Sequence, residues 1–478
     1  METQPLSFDA LQKTLVERAG SPLPAYDTLV VLPSLSFPAS ELAKITAIER
    51  YEERLLYLLL QLDDPDLRIV YVTSLPIDPA IIEYYLRFVR DPRDARRRLT
   101  LVSLGGFSGR GLARDLARDS DALDRLCAAL TTQHGRAVIL PFNITEAERQ
   151  VALELGIPLF AVHPDLVSLG SKTGSRRAAR AAGVPVLPGV EDLWSTSEIS
   201  HAVDRLRLQH PEIDAVVVKL NNGFSGQGNA MVTWNGPGAD LADRETVFCA
   251  PGETWSSFAA KIAAEGAIVE QLVHLRSASP SAQAWISPRG VVTVVSTHDQ
   301  VLGGPGGQVY LGCRYPAAPS YRSRIVDHTE VIGRHLADAG VVGPFAIDFS
   351  VPAGDGAPDI RMSEINLRLG GTTHPFGMAR TVAGADTEAT SGLRTDDGER
   401  VYVATDNLKE PGLIGVAPGQ VVARVDRAGL AFDPATRVGL TLHLLGAVEE
   451  HGKLGAVSIA RTHDDAERQL AELTALLR

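Results

Sequence analysis

Between residues 28 and 162, short apolar runs alternate with stretches in which apolar residues recur every three or four positions. The short runs, 28–32, 68–72, 99–104, 137–140 and 158–162, predict strands. The longer stretches predict helices. The first is 41–62, where Leu42, Ile45, Ile48, Leu55, Leu56 and Leu59 fall at helical spacing. It is followed by 79–89, with a proline in its first turn, and by 112–130 and 145–155. Strands and helices in alternation predict an open, largely parallel α/β sheet, able to bind a nucleotide or to hold a substrate.

Further along, the period changes to two. Residues 215–220 form an apolar run broken by Lys219. The glycine-rich Asn221-Asn222-Gly223-Phe224-Ser225-Gly226-Gln227-Gly228-Asn229 follows at once, and 266–273 reads as another strand. In 345–351, Phe345, Ile347, Phe349 and Val351 alternate with Ala346, Asp348 and Ser350. In 363–371, Ile365, Leu367 and Leu369 alternate with Glu364, Asn366 and Arg368, and Gly370-Gly371 ends the run. Strand side chains alternate faces, so both stretches carry one apolar and one polar face. Gly354-Asp355-Gly356 reads as the turn between them, and pairing across it brings Asp348 beside Glu364 and Asn366. After a turn at 395–398, short strands at 401–404, 421–425 and 439–444 and an amphipathic helix at 464–477 complete the pattern.

The polar faces carry the candidate chemistry. Carboxylate and amide oxygens from Asp348, Glu364 and Asn366 are hard ligands suited to Mg²⁺, and an arginine two positions on can clamp a carboxylate or phosphate with its fork. The same pattern also describes a hairpin face in water. A lysine inside an apolar strand is costly to bury unless an anion meets it, and the glycine loop beside Lys219 can aim backbone N–H groups at phosphates. A hairpin with a snorkelling lysine is the plainer alternative. Two other glycine-rich segments lack the spacing their chemistry needs. Gly106-Phe107-Ser108-Gly109-Arg110-Gly111 is not GxGxxG and reads as an ordinary strand-to-helix loop. Gly170-Ser171-Lys172-Thr173 lacks the glycines of a P-loop, although Lys172 opens a helix. The basic run Arg176-Arg177-Ala178-Ala179-Arg180 on that helix reads as a solvated face.

Composition narrows the classes. The chain has 478 residues, 45% hydrophobic and 22% charged, which is ordinary for a globular protein of two to four domains. Its formal charge of −12 disfavours non-specific binding to nucleic acid or anionic membrane. No apolar run is long enough to cross a bilayer, and Met1–Pro5 lacks the basic and apolar regions of a signal peptide. The 3 cysteines, Cys127, Cys249 and Cys313, are too scattered for a disulfide framework or a cysteine zinc site, and the 12 histidines include no HExxH. A reducing cytoplasm is the expected compartment.

Taken in order, these pieces resemble the ATP-grasp superfamily. They are Lys172 before a helix, Lys219 with its glycine loop, the 268–273 strand, Asp348, and Glu364-x-Asn366-x-Arg368. Over nearly the whole chain the sequence is similar to the pheganomycin-type peptide ligases within that superfamily. The resemblance includes Leu29-Val30-Val31-Leu32-Pro33-Ser34-Leu35-Ser36, Tyr51-Glu52-Glu53-Arg54, Val72-Thr73-Ser74, Thr297-His298-Asp299-Gln300-Val301-Leu302-Gly303-Gly304, the 364–375 segment, and Ala404-Thr405-Asp406-Asn407. It implies an α/β protein with an N-terminal open α/β (pre-ATP-grasp) domain over 1–165, an ATP-grasp core over 166–395 and a small C-terminal α+β domain over 396–478.

The resemblance also implies an ATP-dependent carboxylate–amine ligase that works through an acyl phosphate, in peptide natural-product biosynthesis. A biotin-carboxylase-type carboxylase and a catalytically silent nucleotide-binding partner are the alternatives. Lys172 and Lys219 would touch the nucleotide phosphates, and Gly223, Ser225, Gly226 and Gly228 would form a lid loop. Glu270, Gln271 and Val273 would hold adenine. Asp348, Glu364 and Asn366 would hold Mg²⁺, as two ions, with Mn²⁺ as the alternative metal. Arg368 would steady the acyl phosphate. Small-molecule or peptide carboxylates and amines would be the substrates, and a homodimer the assembly. The segment after the adenine strand has no carboxylate for the ribose, which leaves Ser281 or Gln283 as substitutes. His374 reads as a packing histidine or as a substrate contact.

Overall fold

A computed structural model of the chain describes residues 7–17, 25–131, 136–223, 228–233, 241, 244–273, 278–304, 307, 309–354 and 356–478. The first part is a four-stranded parallel sheet in the order Leu99–Ser103, Arg68–Thr73, Thr28–Leu32, Ala137–Pro141. Its strands are nearly continuous apolar runs because both faces are covered; from Ile69 to Thr73 every residue is buried. The expected fifth strand at 158–162 shrinks to a single bridge, Ile139 to Leu159. Pro158 lends its carbonyl to Ile139 but has no N–H to extend the ladder.

The helix expected over 41–62 is two elements. A short helix, Ala39–Leu42, is followed by left-handed Ala47 (φ 63°) and a 3₁₀ helix, Ile48–Asp63. Burial extends beyond the leucine stripe to Glu52, Glu53 and Arg54. Each of these charges has a partner. Glu52 accepts from Ser74 N (2.6 Å) and Oγ (2.7 Å), Glu53 accepts from Gly446 N (2.9 Å), and Arg54 pairs with Asp406. The expected 112–130 helix is likewise two, Leu112–Leu116 and Ser120–Thr131. Asp119 accepts from Ala122 N and so starts the second one.

Two antiparallel sheets follow. The five-stranded one runs Gly189–Leu193, Ala267–Gln271, Ala215–Leu220, Asn229–Thr233, Thr246–Phe248. The nine-stranded one runs Arg361–Asn366, Gly343–Ser350, Pro280–Ile286, Val292–Gly303, Val309–Tyr315, Gly398–Lys409, Lys453–Ala460, Gly439–His443, with Leu393–Thr395 pairing beside Gly398–Lys409. The C-terminal strands thus extend the sheet that carries Asp348 and Glu364. Residues 421–425, expected as a strand, lie in the helix Pro418–Arg427. Its proline occupies the first turn, and Val421 and Val425, four apart, are the buried pair. The closing helix is His463–Leu477.

Candidate active site

The expected pairing of the two chemistry-bearing strands is present. Asp348 lies opposite Glu364 and Ala346 opposite Asn366. Phe345, Ile347, Phe349 and Ile365 are buried in the core, which leaves the polar side chains on the other face. The strand ends at Asn366, two residues short of Arg368. The arginine fork turns back, donating from Nη2 to Asn366 Oδ1 (2.7 Å) and from Nη1 to Leu369 O (3.0 Å). Asp348 accepts from Gln300 Nε2 (2.6 Å) and Asn366 Nδ2 (3.1 Å). Burial, and then the Glu364 charge, push its carboxyl up to about 7.

Two carboxylates directly opposite on one face of an antiparallel pair repel each other. A cation between them removes that penalty. With Asn366 Oδ1 adjacent, the donors are all hard oxygens, so Asp348, Glu364 and Asn366 fit Mg²⁺.

Both expected lysines reach this face. Serine at position 171 caps the helix Lys172–Ala181 by accepting from Gly174 N. Asn221 fixes the helix start, its carbonyl taking Lys172 N (3.1 Å) and its Oδ1 taking Thr173 N (3.0 Å). From there Lys172 Nζ pairs with Glu364 Oε1 (2.8 Å) and donates to Gly223 O (3.2 Å). Lys219 pairs with Glu270 Oε1 (2.6 Å) and lies 3.4 Å from Ser363 Oγ. The ends of the glycine loop lie side by side: a Cβ on Gly228 would sit 2.9 Å from Gly223 Cα. Ser225 and Gly226 lie outside the described residues.

The five-stranded and nine-stranded sheets share one cavity of about 200 Å³, lined by Lys172, Lys219, Asp348, Glu364, Asn366 and Arg368 among others. A second cavity of about 390 Å³ adjoins it through Lys219, Ser279 and Gln300, and is lined by Gln271, Leu272 and Val273. Glu270 also lines that cavity, but its fully buried carboxylate is held by Arg176 Nη1 (2.7 Å) as well as by Lys219. Arg176 is therefore no solvated residue. It is wholly buried and also donates to Leu187 O and Glu191. Of the two ribose candidates, Ser281 lines the metal-side cavity. Gln283 is engaged by Ser296 and Thr373 and lines a different, more apolar cavity beside Trp285. His374 is buried 3.2 Å from Asp406 Oδ1, and burial lowers its pKa to about 3.

Sequence patterning missed Arg54, Arg176 and Gln300. Gln300 orients Asp348, and its place in the Thr297–Gly304 motif was the available signal.

A family model described as "IQCH-like, ATP-grasp" matches residues 164–234, and one described as "PGM1 C-terminal domain" matches 420–473. The L-propargylglycine–L-glutamate ligase of Streptantibioticus cattleyicolor is 31% identical over 462 residues, 94% of each chain. The chain belongs to the pheganomycin-type peptide ligase family of ATP-grasp enzymes. It is an ATP-dependent ligase that forms a C–N bond. The ligase is also 21% identical to IQ motif-containing protein H of Danio rerio over 377 residues, 67% of this chain and 35% of that one. Among solved structures, an N5-carboxyaminoimidazole ribonucleotide synthetase in complex with ADP has a TM-score of 0.55 at 14% identity, covering 93% of the ligase and 96% of that chain. Biotin carboxylase from Campylobacter jejuni has a TM-score of 0.57 at 13% identity, covering 94% and 91%. At these identities the structures share the fold.

Proposed function

We propose that the ligase joins a carboxylate to the amine of an amino acid or peptide through an acyl phosphate, releasing ADP and phosphate, in peptide natural-product biosynthesis. The single observation that carries the residue assignment is the facing pair Asp348 and Glu364, with Lys172 and Arg368 on the same cavity. In the structure these charges are paired among themselves, Lys172 with Glu364 and Lys219 with Glu270. Phosphate oxygens would take over the lysines and free Glu364. Mg²⁺ held by Asp348, Glu364 and Asn366, as two ions or with Mn²⁺ in its place, would neutralise charge on the transferring phosphoryl group. Gln271 and Val273 would border the adenine in the adjoining cavity, with Glu270 holding Lys219 in position. Gly223 and Gly228 would hold the ends of the phosphate loop.

The substrate carboxylate attacks the γ-phosphorus and ADP leaves. The amine nitrogen then attacks the acyl carbon, the bond from that carbon to the phosphate oxygen breaks, phosphate leaves with the electron pair, and the nitrogen loses a proton. Arg368 pairs with the carboxylate and with the tetrahedral oxyanion. Residues 1–165, 166–395 and 396–478 would act as substrate-holding, nucleotide-binding and closing units of a cytoplasmic enzyme, as a monomer or homodimer.

The test is ADP release from a carboxylate panel crossed with an amine panel, L-glutamate and L-propargylglycine included, with products read by mass. Amide products are expected, and turnover should vanish in Asp348→Ala and Glu364→Ala variants that still melt cooperatively. ADP release that requires bicarbonate and gives a carboxylated product would replace the ligase reading with a carboxylase one.

A further inference from the structure

The apolar cavity beside Trp285 has a volume of about 490 Å³ and lies where several parts of the chain meet. Leu29 and Leu140 come from the parallel sheet, Tyr57 from the Ile48–Asp63 helix, Trp285 from the Pro280–Ile286 strand and Phe376 from the Thr373–Val382 helix. Trp285 stacks on Phe160, with ring centroids 5.6 Å apart. Aromatic and aliphatic walls with a few placed polar groups are what a small-molecule site needs. Two such groups are present. The Tyr57 hydroxyl and the Trp285 indole N–H make no hydrogen bond among the described residues. Both groups ordinarily find a partner when shut away from water.

The lining also sets the charge of an occupant. Its charged residues are Arg368 and Arg380, and it contains no carboxylate. Arg380, Thr381 and Gly384 are exposed and mark the open end. Arg380 has no ion pair among the described residues. Arg368 is already engaged, by Asn366 Oδ1 and Leu369 O. An anionic head on an apolar body therefore finds its partner at Arg380.

Two features join this cavity to the one that holds Asp348 and Glu364. Among the described residues, Arg368 is the one common to both linings. In addition, Gly370 of the catalytic cavity donates from N to Thr373 Oγ1 (2.9 Å), which donates to Gln283 Oε1 (2.7 Å). Thr373 and Gln283 line the apolar cavity. Leu369, between Arg368 and Gly370, is 1% exposed and keeps the two spaces apart.

We propose that the apolar cavity is an effector site for a small amphipathic anion, and that its occupancy inhibits the ligase. The aryl or alkyl body lies against Tyr57, Trp285 and Phe376, and the head pairs with Arg380. Packed against Arg368 and the Gln283–Thr373–Gly370 chain, the body holds the guanidinium on Asn366 and Leu369. On the ligase reading, that guanidinium has to leave Asn366 for the substrate carboxylate. The inhibition rests on that reading, and the binding site does not.

The probe is naphthalene-2-sulfonate, whose head cannot form an acyl phosphate, with naphthalene-2-sulfonamide as its neutral counterpart. Calorimetry should show one sulfonate bound per chain. Arg380→Gln should weaken it about fivefold, the upper range for an exposed charge pair, and leave the sulfonamide unchanged. Val138→Phe fills the cavity from the sheet, and Thr381→Trp covers its open end; each should abolish binding of both probes. Thr381 is exposed, so Thr381→Trp decides the matter if thermal melting shows that the buried Val138→Phe has unfolded. Neither residue lines the catalytic cavity, so turnover without probe should match wild type. With the sulfonate bound, wild-type kcat should fall about tenfold, within the usual range of coupling between two sites. KM for ATP should not change, and Thr381→Trp should resist the probe. No binding, or undiminished binding to Thr381→Trp, overturns the site. Competition between the sulfonate and the acyl donor overturns it too, because the head would then sit on Arg368. Binding that leaves kcat unchanged overturns the inhibition. Absence of ADP release with every acid–amine pair overturns the ligase reading, and calorimetry still decides the site.

Discussion

Arg368 leaves the strand that carries Glu364 and Asn366, and its fork holds the Asn366 amide oxygen that a metal ion would need. On the proposed reading the guanidinium would give up that bond as the site fills and turn to the substrate carboxylate. Interactions gained during the reaction act on kcat. Arg368→Ala should lower kcat by about 10²–10³, the usual cost of one preorganised electrostatic donor. Arg368→Lys should recover little of it, because an ammonium lacks the fork. ATP affinity measured by calorimetry should hold, since Lys172 and Lys219 are untouched. A collapse of ATP affinity with near-normal kcat at saturation would make Arg368 a nucleotide contact instead. At this scale the sequence displayed the shared polar face of Asp348, Glu364 and Asn366, because alternation within one hairpin puts the three candidate ligands together. It did not display Arg54, whose partner Asp406 is 352 positions away. Nor did it display that Arg176 is buried while its neighbours Arg177 and Arg180 are not. Local pattern marks a charge but not what it meets.

Elements bounded by sharp signals were the legible ones. The Lys172–Ala181 helix starts at a serine cap, and the Glu146–Leu155 helix carries a full capping box from Thr145 and Glu148 and ends at left-handed Gly156. The 3₁₀ helix Ile48–Asp63 had no such signal, since its leucine spacing fits an α-helix equally well. The Val421–Val425 helix was misread because paired valines favour strands when nothing else is weighed. The Lys172 helix gives a direct test of how elements set the site. Gly174 lies in its first turn against the backbone of the preceding Pro164–Gly170 turn, and a Cβ there would meet Ser168 O and lie 2.9 Å from Leu169 Cα and O. Gly174→Ala gains helix propensity, ~1 kcal/mol, but the wall it meets is backbone that cannot swing aside. Overpacking of this kind costs ~1–3 kcal/mol. The variant should melt lower and bind ATP more weakly, because Lys172 moves with the turn. A higher melting temperature with unchanged ATP affinity would show that the helix start is not held as described.

Across the whole molecule, the alternation of strands and helices announced the parallel N-terminal sheet, but nothing local could announce that the C-terminal strands join the sheet of Asp348. That junction is the pairing of Val309–Tyr315 with Gly398–Lys409. Buried charges on the Ile48–Asp63 helix give the fold a pH dependence. Burial pushes the carboxyls of Glu52 and Glu53 up to about 7, against 4.5 for an ordinary glutamate, despite the hydrogen bonds from Ser74 and Gly446 that favour the anions. The neighbouring charges of Glu53 and Asp115 add to the shift at Glu52. The folded chain therefore binds protons that the unfolded chain has released. Stability is lost as pH rises from about 4.5 to about 7 and is level above that. His298 and His374 have the opposite sign. Both are held neutral by burial, with pKa values of about 3 against 6.5, and they cost stability as pH falls below 6.5. A melting curve of the wild type mixes the two effects, and Glu52→Gln separates them. Glutamine can still accept from Ser74 N and can donate to Ser74 Oγ, without a charge to bury. Relative to wild type, its melting temperature should climb between pH 5 and pH 8, by an amount on the order of a few degrees for a few kcal/mol. A difference between variant and wild type that stays constant over that range, or shrinks, would mean that Glu52 is ionised in the folded protein throughout.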